Sequence, residues 1–238
     1  LLMVCTSLLS GVFGMAGGLI LVGVLLVVMP LPQAMVLHAV TQMASNGWRA
    51  LLWRRHIVWK LTLANLVGSM ASVGLWSIWL YVPDKAVALL LLGLSPFVVR
   101  AIPESVLPRM LGGGQMLGGS AVCMMLMLTS GVTGPLLDTL FLRSSLGRKE
   151  IIATKAACQL FNHSLKLVYF GLLIEQSGSA EPWVVGLAIA ASMLGTSLGK
   201  LVLERLSDIQ FRTWSNRIIT VLATYYVGYG LALLSNIA

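Results

Sequence analysis

The chain has 238 residues, 58% of them hydrophobic and only 10% charged, with a mean hydropathy of +0.90 and a formal net charge of +8. A soluble domain carries about 25% charged residues, and here apolar runs of about 18 residues or more, the length of a membrane span, recur along the whole sequence. A soluble enzyme, a disordered chain and a secreted disulfide scaffold are excluded, and the positive charge points to basic loops on one side of a membrane rather than to nucleic acid.

The sequence begins at Leu1 rather than Met, so further residues are expected before it. No basic stretch precedes the first apolar run, as a cleavable signal would require. Eight apolar segments follow in order, at 1–29, 34–53, 58–81, 84–101, 110–142, 150–174, 182–203 and 214–235. Six have ordinary helix lengths. Segments 1–29 and 110–142 are long and broken by glycine, at Gly11, Gly14, Gly17, Gly18 and Gly23 in the first and at Gly112–Gly114, Gly118, Gly119, Gly131 and Gly134 in the second, where Pro135 follows at once.

Loop charge decides whether those two cross. Arg54, Arg55, Lys60, Arg100 and Arg109 mark cytoplasmic loops, and Lys85 stands alone in a loop expected outside. If 110–142 crossed, Arg143, Arg148, Lys149, Lys200, Arg205, Arg212 and Arg217 would all fall outside. If it enters and leaves on one face, all stay inside, and the loop bounded by Glu175 and Glu181 is external. Segment 110–142 is therefore expected to be a re-entrant hairpin, and 1–29 by analogy another, with both termini external. Trp53, Trp59 and Trp214 then fall at cytoplasmic ends and Trp76, Trp79, Tyr81 and Trp183 at external ends.

The two hairpins share a signature. Ser10-Gly11-Val12-Phe13-Gly14 matches Ser130-Gly131-Val132-Thr133-Gly134, and in the following helices His38 aligns with Lys155, Gln42 with Gln159, Asn46 with His163 and Arg49 with Lys166. An all-α polytopic membrane protein of two inverted repeats is predicted, 1–105 and 106–238, each a hairpin followed by three transmembrane helices.

Polar groups within spans are costly and normally face a bundle interior or a watery cavity. His38, Thr41, Gln42, Ser45 and Arg49 share one helical face, bordered by Asn46, and Lys155, Gln159, Asn162, His163 and Lys166 share another. Interhelical hydrogen bonding is the plain account of such stripes. The basic groups and the adjoining broken hairpins favour a site. A turn in mid-membrane presents free N–H groups and the positive end of a helix dipole at the start of the second half-helix, which suits an anion. Gly14, Gly17, Gly18, Gln42, Asn46, Thr133, Gly134, Lys155, Gln159, Asn162 and His163 are the candidate substrate-binding residues, with Asp138, His38, Arg49 and Lys166 as charge or coupling partners. Asp138 is expected to pair with Lys155. Arg49 and Lys166 are close enough to their helix ends to snorkel. Cys5, Cys123 and Cys158 form no metal-ligand spacing and read as small buried hydrophobes, so neither metal nor cofactor is expected.

These residues also resemble the sulfite exporter TauE/SafE family, also called the toluene sulfonate uptake permeases. The resemblance rests on Ser10-Gly-Val-Phe-Gly-Met-Ala-Gly-Gly18 with its apolar run to Pro30, on Ala34 and the polar helix after it, and on Ser130-Gly-Val-Thr-Gly134 followed by Arg148-Lys-Glu-Ile-Ile-Ala-Thr154-Lys. The family pattern has a fuller run of glycines in each half. Here the first copy keeps Gly17-Gly18, and the second has Pro135-Leu-Leu-Asp138 in that place. The resemblance implies a bacterial inner-membrane permease for small sulfur-containing anions such as sulfite or sulfonates.

The leading expectation is thus a secondary anion transporter with alternating access around a midplane site, working in a lipid bilayer, with protons or sodium as candidate coupling ions. An anion channel, a membrane thiol–disulfide carrier using Cys5 and Cys123, and an intramembrane enzyme are the alternatives. No phosphate-binding loop motif indicates an ATP-driven pump.

Overall fold

A computed structural model describes residues 2–13, 16–103, 111–141, 144–174, 182–203 and 208–235. Among them every regular element is helical: α1 (Leu2–Phe13), α2 (Ala16–Val28), α3 (Leu31–Leu52), α4 (Trp59–Ser77), α5 (Lys85–Ala101), α6 (Gly113–Ser130), α7 (Gly134–Phe141), α8 (Arg148–Val168), α9 (Pro182–Leu203) and α10 (Asp208–Leu234). A 3-10 turn, Arg54–His56, precedes α4, and a π turn, Tyr169–Leu173, prolongs α8.

Both glycine-broken segments are helix pairs. At 1.5 Å per residue, α1 and α2 are each about 20 Å long, short of the roughly 30 Å hydrocarbon core. The second pair is unequal: α6 has 18 residues and α7 only 8. The break falls late because Gly131 caps α6 in the left-handed region, at φ +83°, which glycine adopts without strain. Helix α7 then starts at Gly134-Pro135, where a missing N–H costs nothing.

Other boundaries shift for local reasons. Pro32 falls within the first turn of α3, where proline is tolerated, so the helix begins at Leu31 rather than 34. Helix α4 ends at Ser77 rather than 81, and the chain turns through Leu80 at φ +45°. Helix α8 starts at Arg148, where the Glu150 carboxylate accepts from the Gly147 N–H. Helix α10 begins six residues before the apolar stretch itself.

Helices α3 and α8 pack against each other at the centre, α1 packs on α9 and α2, α6 packs on α4, and α5 pairs with α10. Small residues permit the tightest contacts. A Cβ on Gly195 would overlap the Val4 carbonyl, and one on Gly68 would overlap that of Leu117. Leu19, Leu21, Leu26, Met35, Leu89, Leu92, Met124 and Met127 are fully buried and belong to one core cluster.

The outside is apolar. Leu63, Val67 and Met70 on α4, Leu187, Leu194 and Leu201 on α9, and Val221, Tyr225 and Leu231 on α10 are all exposed. The inside carries Thr41, Gln42, Ser45, Asn46, Asn65, Ser69, Asn162, His163 and Lys166, all buried. A soluble domain does not expose apolar surface on this scale, whereas a bilayer requires it. Among the described residues, the stretches Pro182–Gly199 and Asn216–Leu234 are long and apolar enough to cross a membrane on length and composition alone.

Candidate functional site

Each central helix ties down the hairpin that precedes it. His38 on α3 holds the second arm of the first hairpin, with Nε2 3.1 Å from the Gly18 carbonyl. Eleven residues on, Arg49 Nη2 donates to the Ser10 carbonyl at 2.8 Å, near the end of the first arm. In the other half Lys155 on α8 forms an ion pair with Asp138 on α7, and Lys166 Nζ donates at 3.1 Å to the carbonyl of Gly131, the cap of α6. Cations at helix C-terminal carbonyls satisfy orphan acceptors and oppose the dipole.

Lys166 does not snorkel. It is fully buried, and its Nζ also lies 2.8 Å from His38 Nδ1. His38 in turn meets His163 edge to face, with ring centroids 5.3 Å apart. Because His38 Nε2–H is the donor to the Gly18 carbonyl, Nδ1 carries the lone pair that accepts from Lys166, and the ring is neutral.

Above this cluster is a small cavity lined by Gly18, His38, Gln42, Met127, Val132, Thr133, Gly134, Gln159 and His163. Gly18 belongs to the first turn of α2 and Gly134 opens α7, so the starts of both second arms contribute to its wall. Three of the lining side chains carry a buried polar atom without a partner: Gln42 Nε2, Thr133 Oγ1 and His163 Nδ1. Buried polar groups are almost always bonded, so such atoms gathered around one cavity are left to bond water or a bound group. Asn46 aims one of them. Its Nδ2 donates to Gln42 Oε1 at 3.4 Å and its Oδ1 accepts from Arg49 Nη1 at 3.5 Å, which turns Gln42 Nε2 away from Asn46.

The predicted residues therefore separate. Gly18, Gln42, Thr133, Gly134, Gln159 and His163 come together around the cavity, and His38 joins them. Asn46 stands behind Gln42. Gly17 faces α1, where a Cβ would overlap the Thr6 carbonyl. Asn162 is glue: its Oδ1 accepts from Asn65 Nδ2 at 2.8 Å and Ser69 Oγ at 2.9 Å, both on α4. Lys155 and Asp138 are partly exposed and bonded to each other rather than to the cavity. Gly14 lies outside the described residues, as do Arg109, Arg143, Glu175, Glu181 and Arg205 of the loop-charge argument.

Met127 and Val132 line the cavity without a polar signal in the sequence. Ser10, whose carbonyl holds Arg49, stood out only as the head of the repeated signature, and Asn65 and Ser69 only as polar breaks in an apolar segment. Cys5 is exposed, whereas Cys123 and Cys158 are buried together in an apolar cluster with Leu61 and Leu137.

An all-helical chain with an apolar exterior and a buried, donor-rich centre is built as a membrane transporter is built. Residues 1–226 match the sulfite exporter TauE/SafE family, and the chain belongs to that family. It is thus a membrane protein of a transporter family of the sulfite and sulfonate type, not of an enzyme family. Comparison with curated proteins and with solved structures returned no match.

Proposed function

We propose that the chain is a secondary transporter of small sulfur-containing oxyanions, working by alternating access around the cavity between the starts of α2 and α7. The observation that carries this reading is the convergence of Gln42 Nε2, Thr133 Oγ1 and His163 Nδ1, buried and unpartnered, with Lys166 behind His38. The amide and hydroxyl donors of Gln42 and Thr133, at two helix N-termini and beside the Lys166 amine, with an imidazole nitrogen that can take up a proton, fit the oxygens of a compact anion. Asp138 is the acid of a nearby helix, and its pairing with Lys155 keeps its charge from the anion.

The inverted repeat belongs to the same proposal. The contacts described above exchange in pairs when the halves are exchanged: α1 on α9 answers to α6 on α4, while α3 on α8 and α5 on α10 answer to themselves. Ser45 Oγ lies 2.7 Å from Thr196 Oγ1 just as Asn162 bonds Ser69, and the neighbours Gly195 and Gly68 each receive a backbone carbonyl of the first arm beside them. Two such halves around a central site permit rocking of one against the other. The re-entrant reading of 1–29 and 110–142 is supported by the shortness of α1, α2 and α7 and by the ends of α8. Lys149 lies over the Trp53 ring and Thr154 Oγ1 accepts from the Val58 N–H, so the loops before α4 and before α8 meet on one side. At the far end of α8 the Tyr169 hydroxyl donates to the Tyr81 carbonyl.

Uptake and counterflow in proteoliposomes, with sulfite, sulfonates, thiosulfate, sulfate and carboxylates as substrates, tests the reading. Saturable counterflow of a sulfur oxyanion is expected. Flux that never saturates would indicate a channel, and counterflow confined to carboxylates would overturn the substrate class.

A further inference from the structure

The centre of the molecule holds three basic side chains, of which Lys166 is the one that is ordinarily a cation at neutral pH. Lys166 is held by two neutral acceptors, His38 Nδ1 and the Gly131 carbonyl. His38 is committed at both nitrogens, to Lys166 and to the Gly18 carbonyl. His163 is the basic group with a choice, because its Nδ1 is buried, lines the cavity and has no partner. One ammonium balances one negative charge. A second negative charge in so enclosed a place would stand uncompensated, and buried charge without a partner is strongly unfavourable.

We infer that His163 sets the charge the site accepts: a singly charged oxyanion binds against Lys166 with His163 neutral, and a doubly charged one binds only together with a proton on His163 Nδ1. The inference rests on the anion-site reading above. The proton comes from water and adds to the Nδ1 lone pair, so the site gains one proton and one dianion together. The other groups around His163 are already engaged or do not titrate. From α3 it faces His38, already bonded on both sides, and Gln42, which does not titrate. Arg49 of that helix is turned to the Ser10 carbonyl. From its own helix it faces Lys166. Helix α7 brings Asp138, paired with Lys155. Helix α4 brings the amide of Asn65 and the hydroxyl of Ser69, α6 the Cys123 thiol buried among apolar groups, and α2 no titratable group at all.

Methanesulfonate and sulfate separate the cases, because the first carries one charge and the second two throughout the neutral range. Binding of each to the purified full chain, measured by calorimetry between about pH 6 and 8.5, should give a flat profile for methanesulfonate. Sulfate affinity should fall by up to about tenfold per pH unit on the alkaline side, as uptake of one proton requires, and sulfate binding in weak buffer should remove one proton from solution. H163Q and H163N should abolish the sulfate slope. The same slope for both anions in the unmodified protein, or a sulfate slope that survives in a folded H163Q or H163N, overturns the role of His163 while leaving the anion site standing. If neither anion binds at any pH, the site reading fails and this inference with it.

Discussion

Lys166 on α8 and His38 on α3 meet at 2.8 Å in the middle of the molecule, a bond that joins the two halves of the chain. In the proposed repeat Lys166 is the counterpart of Arg49, yet Arg49 bonds the Ser10 carbonyl on the helix pair before its own helix. The centre is thus asymmetric where the sequence halves are most alike: one cation reaches across toward the cavity and the other does not.

Removing that cation should be felt chiefly in anion affinity. Lys166→Met deletes the fully buried ammonium, and a charge-assisted hydrogen bond is worth roughly 1.5–3 kcal/mol. Sulfonate affinity should drop by about 10- to 100-fold, with transport falling in step. Arg49→Met should instead lower the melting temperature, because it frees a helix-end carbonyl and loosens Asn46. Calorimetric titration and thermal unfolding on the two variants, read together, distinguish the roles. Equal affinity losses in both would contradict the asymmetry.

Neighbouring glycines should fail differently. A methyl on Gly17 would overlap the Thr6 carbonyl and approach the Ser10 backbone, so α1 and α2 could not stay packed. A methyl on Gly18 would meet only the Gln42 amide, at 3.4 Å. Gly17→Ala should give little monodisperse protein on size-exclusion chromatography. Gly18→Ala should fold, and bind anion less well because Gln42 Nε2 is displaced. A well-folded Gly17→Ala with normal stability would disprove the close hairpin packing.

The Lys155–Asp138 pair should show coupling. Asp138→Asn alone leaves a cation in apolar surroundings, and Lys155→Met alone leaves a carboxylate. The double variant removes both charges and should be less impaired than the two single losses combined. Thermal stability of the three variants gives the interaction energy, and strict additivity would mean that the pair contributes nothing.

Much of this was legible from period and charge. The 3.6-residue spacing placed His38 and Gln42 on one face of α3 with Asn46 at its border, and glycine runs located both helix breaks. Direction was not legible. Gln159, Asn162 and His163 lie within one helical turn, and whether each meets a cavity or a neighbouring helix depends on where α4 packs, which only tertiary contacts fix. Lys166 looked like a residue near a helix end because its stripe stops there. Its Nζ is instead held inside by His38 Nδ1 and the Gly131 carbonyl, partners on α3 and at the end of α6 that only the packing supplies. Lys155 and Asp138 were expected to pair and do, but spacing alone did not show that the pair would stand apart from the cavity.

That separation along α8 is itself testable. Asn162→Leu leaves Asn65 Nδ2 and Ser69 Oγ without their shared acceptor, and interhelical hydrogen bonds of this kind are worth about 1–2 kcal/mol at most in a membrane protein. It should lower the melting temperature and leave anion affinity within about twofold, well under 1 kcal/mol. Gln159→Leu should do the reverse, because Gln159 lines the cavity and bonds no helix neighbour among the described residues. Unfolding and titration curves on the pair would refute the assignment if both variants lost affinity alike.

The fold also gathers loops at the two ends of α8. Lys149 over the Trp53 ring and the bond from the Val58 N–H to Thr154 Oγ1 bring the segment before α4 next to the start of α8, while the Tyr169 hydroxyl on the Tyr81 carbonyl brings the other end of α8 to the turn after α4. Arg55 and Ser145 should therefore face one compartment and Asp84 the opposite one. All three are exposed, so a single cysteine at each position, in a background with Cys5, Cys123 and Cys158 replaced, is reachable by a membrane-impermeant maleimide. In intact cells R55C and S145C should resist labelling and D84C should react, with the pattern inverted in inside-out vesicles, because basic loops stay on the cytoplasmic side. Labelling of R55C and S145C from opposite faces would mean that α6 and α7 together cross the bilayer, and the inverted repeat would fall with that result.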